Sequence, residues 1–243
     1  MGLFDDATRD LVEVARTRMS VHYEVVRSAS DSKYADGRIE RSEQPSEYLL
    51  SVSVCLPEAV RLPTSLVTTT LPPHGSARVG VGALSVDDVS WRVRRWWRPA
   101  RPRGLVRPPG SATYVDLDPA RLLGAGPGLT PSGDDVLAGA LVAGHAVDDP
   151  RLPGWQRGVC RLLATGRTTP VSGAMLECAL EGYATAELAD FVEAVCARPV
   201  DHEALDRARS RLLHVGHTSG SALMAGALHA LTPHATRPAG AAA

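Results

Sequence analysis

The stretch Gly128-Leu-Thr-Pro-Ser-Gly-Asp-Asp-Val-Leu-Ala-Gly-Ala-Leu141 decides how this chain is read. A hydroxyl-bearing turn, Thr130 to Ser132, leads into a run that is apolar nearly all round: Val136, Leu137, Ala138, Ala140, Leu141, Val142 and Ala143. A helix of that kind is buried on most of its sides. The pattern returns as Gly216-His-Thr-Ser-Gly-Ser-Ala-Leu-Met-Ala-Gly-Ala-Leu228. With one gap the two align as G-x-T-(P)-S-G-x-x-apolar-apolar-A-G-A-L. Between them lies a looser copy, Thr169-Pro-Val-Ser-Gly-Ala-Met-Leu176. Their unequal spacing excludes a solenoid. Gly139, Gly144 and Gly226 each cost about 1 kcal/mol against alanine inside a helix. Close approach of another backbone would explain them.

Outward from this motif the C-terminal half reads as helical to its end. Helices are expected over 133–147, 154–165, 173–182, 186–197, 201–213 and 220–231. The preceding part is different. Residues 48–56, 65–70, 77–86 and 89–96 are short runs rich in Val, Thr and aromatics, punctuated by Pro63, Pro72, Pro73, Gly75 and Asp87-Asp88. Val89, Trp91 and Val93 alternate with Ser90, Arg92 and Arg94, the period of a half-buried strand. At the N-terminus Leu3, Phe4, Ala7, Leu11, Val14 and Arg18 fall on helical spacing, so an amphipathic helix is expected over 3–18. Residues 28–47 read as an exposed loop, and the Pro/Arg-rich 99–110 as a linker or crossover. The expected fold class is therefore α+β: a small antiparallel β-rich N-terminal part, then an all-α domain with central buried apolar helices. The expected boundaries are 1–104, 105–235 and a disordered tail over 236–243.

Composition narrows the function classes. The chain of 243 residues is 44% hydrophobic and 22% charged, which suits a globular protein with a sizeable core. A net charge of −1 disfavours nucleic acid as the main partner. The most apolar stretch, Val136 to Val147, is too short to span a membrane. Of 26 basic residues only Lys33 is lysine, a bias that fits GC-rich coding. Cys55, Cys160, Cys178 and Cys196 form no CxxC pair, and the N-terminus lacks a secretory pattern. Free thiols and a cytoplasmic location are expected.

The chemistry is sought at the repeated turns. A helix N-terminus presents free N–H donors and about half a positive charge. Two or three such ends meeting around one hollow would hold a phosphate or carboxylate. The alternative is three ordinary capped helices that point to different places. Asp134 and Asp135 complicate the anion reading, because carboxylates in the first turn satisfy the helix dipole themselves. Capping, with Ser132 and Asp135 at capping-box spacing, is one use. A general base for a bound N–H group and a ligand to a divalent cation such as Mg are the others. Adjacent residues on a helix point about 100° apart, so one of the two is expected to face a pocket. His217, beside Thr218-Ser219, is the candidate neutral donor or acid. His214-x-x-His217 lacks a third ligand for a metal site. His145 reads as a satisfied core histidine, and Trp96-Trp97 as packing between the two parts.

The run Leu123-Gly-Ala-Gly-Pro-Gly-Leu-Thr-Pro-Ser-Gly-Asp-Asp-Val-Leu-Ala-Gly139, with Thr169, Ser172, Leu176, Ala179 and Gly182 and then Gly216-His-Thr-Ser-Gly220, resembles the AllH-like family. The likeness covers roughly residues 105–232. It implies the role of a carbamoyltransferase or one of its subunits, moving a carbamoyl group between phosphate and a small nitrogen acceptor such as oxamate, as in anaerobic allantoin use. It also implies partner subunits. A homo-oligomer is a further expectation, with no nucleic acid and no membrane as partners. By matched position, Gly128, Thr130, Ser132, Gly133, Thr169, Ser172, Gly216, Thr218, Ser219 and Gly220 would cradle carbamoyl phosphate or phosphate. Asp134 or Asp135 would serve as base, and His217 as donor to the carbonyl or phosphate oxygen. No cofactor is expected. The residues leave open two other readings, a non-catalytic anion-binding or scaffold subunit and a metal-assisted small-amide hydrolase.

Overall fold

The computed structural model describes residues 9–25, 51–95, 98–110 and 117–233. The expected loop over 28–47, the Trp96-Trp97 pair, the tail over 236–243 and the first residues of the expected N-terminal helix lie outside them.

The described residues begin in a sheet. Strand β1 (Arg9–Arg16) pairs antiparallel with β2 (Ser20–Val25), which pairs with β3 (Ser51–Cys55). Strand β4 (Ser65–Val67) runs parallel to β3 at one edge. On the other side of β1 come β5 (Ala77–Gly80), β6 (Ala83–Val86) and β7 (Val89–Arg92), all antiparallel. The order is β4-β3-β2-β1-β5-β6-β7. The expected amphipathic helix over 3–18 is thus overturned, because residues 9–16 are a central strand with partners on both sides. Leu11 and Val14 satisfy a helical period, yet the ladders to β2 and β5 override it. A bulge between Glu13 and Ala15 breaks the strict alternation. It brings Glu13 and Arg16 together, with Arg16 Nη2 donating to Glu13 Oε2 at 2.7 Å. The single run expected over 77–86 is in fact a hairpin, turned at Val81 (φ 49°) and Gly82 (φ 71°). Leu11, Val21, Tyr23, Val52, Val54, Val79, Leu84 and Val86 form the apolar cluster of the sheet.

Helices α1 (Pro119–Leu122), α2 (Ser132–Ala146), α3 (Leu152–Leu163), α4 (Pro170–Leu180), α5 (Ala186–Cys196), α6 (His202–Leu213) and α7 (Ser219–Leu231) follow. Six of them match the expected helices with small shifts at the ends. The short α1, capped by Asp118, is an addition to those expected. None of the helices among the described residues is long and apolar enough to cross a membrane. The helices enclose a second apolar cluster, and α4 packs against β1 and β3.

Helices α2 and α7 lie at the centre of that cluster. Their glycines are contact points. A Cβ added to Gly139 would lie 2.0 Å from the Leu223 carbonyl oxygen, and one on Gly226 would lie 1.9 Å from that of Val136. In the sequence alignment Val136 matches Leu223 and Gly139 matches Gly226. The two copies therefore pack reciprocally, as a pseudo-two-fold pair. The relation extends upstream. Gly133 abuts the Leu122 carbonyl as Gly220 abuts that of Leu212, and Gly133 N donates to Ala125 O as Gly220 N donates to Val215 O.

Residues 98–110 contain no helix or regular strand and run across the helices. Ala184 N donates to Ala100 O, and Leu105 N to Ala146 O. Arg101 stacks over the Tyr183 ring at 5.0 Å. Arg107 and Arg151 both reach Asp149 Oδ2 at 2.7 Å, and they donate to the backbone oxygens of Thr232, His229 and Ala230 at the end of α7. These arginines complement the carbonyl end of the helix dipole. Burial of the Asp149 carboxylate pushes its pKa up, but the bonds from Arg151 and Arg107 outweigh this and hold it below the usual range. The four cysteines are free thiols.

Candidate functional site

The three hydroxyl-bearing turns meet. Thr130 Oγ1, in the turn before α2, lies 2.9 Å from Ser219 Oγ in the first turn of α7. Thr169 Oγ1, at the start of α4, donates to Leu129 O. Thr168 Oγ1 donates to Asp134 Oδ2, and Ser172 Oγ donates to the same oxygen at 2.7 Å. Gly124 N donates to Asp134 Oδ1 at 2.7 Å. The sequence brings this about because buried α2 and α7 place their N-terminal ends side by side, while α4 packs against α2.

The adjacent aspartates differ sharply. Both are 0% exposed. Asp134 accepts from Gly124, Thr168 and Ser172, so it ties the turn before α2 to the turn before α4. Asp135 has no hydrogen-bond partner on either carboxylate oxygen among the described residues. Its pKa is pushed up to about 6, first by burial and then by the Asp134 charge, while the nearby Ser219 hydroxyl pulls the other way without forming a full hydrogen bond. The divergence follows from the 100° step between neighbours on a helix. Asp134 turns toward α4, and Asp135 toward α7.

The remaining expected site residues fall into distinct settings. Thr130, Ser132 and Ser219 are half-buried, and Thr218 is exposed. Neither Pro131 nor Thr218 caps its helix with a side chain, and the first-turn N–H groups of Gly133, Asp134, Asp135, Gly220 and Ala222 donate to backbone oxygens, which leaves those of Ser132, Ser219 and Ser221. Thr169 caps α4 by accepting from Ser172 N. Ser172 is buried and occupied by Asp134. Gly133 and Gly220 serve close packing, and their N–H groups are used inside the protein. Gly128 (φ 95°) and Gly216 (φ 59°) supply left-handed turns that a side chain would strain. His217 is exposed on the loop into α7 and makes no hydrogen bond or ion pair among the described residues. His214 Nδ1 bonds Ser210 O one turn back in α6. His145 is half-buried on α2, where Nε2 bonds Leu180 O at 2.8 Å and burial lowers its pKa.

Thr168 and Gly124 stand outside the expected set, although both hold Asp134. Their signal in the sequence is faint: Thr168 is merely the neighbour of Thr169, and Gly124 contributes only its backbone. No group of three or more His, Cys, Asp or Glu suited to a metal ion occurs among the described residues.

The arrangement therefore offers free hydroxyl and N–H donors at two adjoining helix N-termini, with a dry, unpaired carboxyl group beside them. Such a set can bind a small anion and exchange a proton with it or with a second substrate. No solved structure matches the chain. Residues 122–231, which contain all three turns and both aspartates, match the family model described as oxamate carbamoyltransferase subunit AllH.

Proposed function

We propose that the chain acts in carbamoyl transfer as a subunit of a carbamoyltransferase, with oxamate as acceptor and carbamoyl phosphate or phosphate bound where α2 and α7 begin. The observation that carries this reading is the Thr130–Ser219 contact, which joins two helix N-termini inside the segment that matches the family. Carbamoyl phosphate is a small dianion with a carbonyl group. Hydroxyls of Thr130, Ser132, Thr218 and Ser219, with the free first-turn N–H groups, would hold its phosphate. Charge developing on the carbonyl oxygen in the transition state would be stabilised by the same fixed donors. His217 would donate from the solvent side. Asp134 keeps the turns in register rather than meeting substrate, since three donors occupy it. No step in this reading requires a cation.

The test is formation or consumption of carbamoyl phosphate by the full chain, alone and co-purified with the products of neighbouring genes. Turnover with oxamate that falls at least tenfold in Ser219→Ala and Thr130→Val supports the reading. Absence of carbamoyl phosphate chemistry in every combination overturns it. Phosphate binding that depends on Ser219 without any turnover would instead establish an anion-binding subunit.

A further inference from the structure

We infer that Asp135 is the proton acceptor of this site, a carboxylate kept dry and unpaired so that it receives the proton of the attacking acceptor nitrogen. The inference rests on the carbamoyl-transfer reading and deepens it.

Three observations carry it. Asp135 is fully buried, yet neither oxygen has a hydrogen-bond partner among the described residues. A buried carboxylate without donors is costly and calls for an explanation beyond packing. Its neighbour shows what a structural carboxylate looks like in this fold, because Asp134 has three donors. The pseudo-two-fold supplies the third observation. Ala222 stands in α7 where Asp135 stands in α2, also buried and in the first turn. The framework thus forms this turn without a carboxylate. What Asp135 adds over Ala222 is an ionisable group beside the Ser219 hydroxyl.

The acceptor nitrogen attacks the carbonyl carbon of a carbamoyl phosphate, and a C–N bond forms. The C–O bond to phosphate breaks, and phosphate leaves with the electron pair. The surplus proton on nitrogen passes to the Asp135 carboxylate, which later returns it to solvent or, in the reverse direction, to the departing nitrogen. Asp134 is the charged group acting on Asp135, and by repulsion it favours uptake of the proton. A carboxyl group that titrates near neutral pH accepts a proton more readily than one at the ordinary value.

The experiment compares the full chain with Asp135→Asn and Asp135→Ala in the same assembly as the wild type. The alanine variant reproduces what α7 already has at position 222. Expected is a 100- to 10,000-fold loss of kcat in both, with phosphate affinity within about threefold. Wild-type kcat/KM should rise with pH through about 6, and this acid limb should vanish in Asp135→Asn. Turnover within tenfold of wild type, or an unchanged acid limb, overturns the inference. A second measurement needs no turnover. Infrared difference titration of the wild-type chain should show a protonated-carboxyl band that titrates near pH 6, is absent from Asp135→Asn, and shifts its midpoint when oxamate is added. A missing band, or a midpoint that oxamate leaves in place, also overturns it. Inactive wild type with the band shifting on oxamate would sink the transfer reading alone.

Discussion

Gly139 and Gly226 are each pressed against a carbonyl of the opposite helix, Leu223 for the first and Val136 for the second, and neither position has room for a methyl group. The contacts are backbone atoms, so relief would require the helices to separate.

Gly226→Ala is therefore expected to destabilise the protein. The helix-propensity gain of about 1 kcal/mol is outweighed by overpacking of about 1–3 kcal/mol or more. Gly173→Ala in α4, where nothing lies within 4 Å of the added Cβ, should instead be neutral or stabilising by up to about 1 kcal/mol. Denaturant titration of the two variants side by side checks the contrast. Equal effects would mean that the crossing yields easily.

Asp134→Ala removes the acceptor of three donors at once. Leaving the buried Ser172 hydroxyl and its companions unsatisfied costs on the order of 3 kcal/mol. The turn at 165–169 should also become easier to cleave by protease. A midpoint of unfolding within about 1 kcal/mol of wild type would show that the latch contributes little.

Asp135 makes stability fall as pH rises. Its folded pKa, about 6, lies above the ordinary 3.8, so the folded state binds the proton more tightly than the unfolded one. The resulting stabilisation is complete below pH 4 and is lost as pH rises through about 6. The loss is on the order of 3 kcal/mol. Asp135→Asn should thus melt higher than wild type at pH 8, with the difference shrinking toward pH 4. A pH-independent difference would contradict the buried, unpaired carboxylate.

Asp149 behaves in the opposite sense. Burial raises its folded pKa, but Arg151 and then Arg107 lower it further than burial lifts it. Its contribution is present above the ordinary carboxylate value and disappears as pH falls through the folded one. Asp149→Asn leaves the largely buried Arg151 and Arg107 guanidinium groups without their counter-charge, which should cost about 3–5 kcal/mol. Thermal melting at pH 7 measures this. A cost below about 1 kcal/mol would mean that backbone carbonyls at the end of α7 suffice for both arginines.

The helical core is legible because burial leaves a mark on sequence. A helix apolar all round, with glycines at matched positions, has to pack against something shaped like itself, and α2 and α7 do so. The N-terminal strand is not legible. Leu11 and Val14 sit at a spacing that suits a helix, while the information that makes β1 a strand lies in β2 and β5, outside the strand itself. At the site, the divergence of Asp134 and Asp135 follows from local geometry. Which of them is satisfied does not, because Thr168 and Ser172 approach from the start of α4 through tertiary packing. The glycines at 133 and 220 mislead in another way. Absence of a side chain looks like room for a ligand, and the room is filled by the carbonyls of Leu122 and Leu212.

The reciprocal packing of the two central helices has a consequence for how this molecule can change over time. A duplicated unit gives two interchangeable scaffolds, and here one copy carries Asp134-Asp135 where the other has Ser221-Ala222. Architecture is shared between the copies while acidity is confined to one, so the crossing that holds both does not depend on the two carboxylates being repeated.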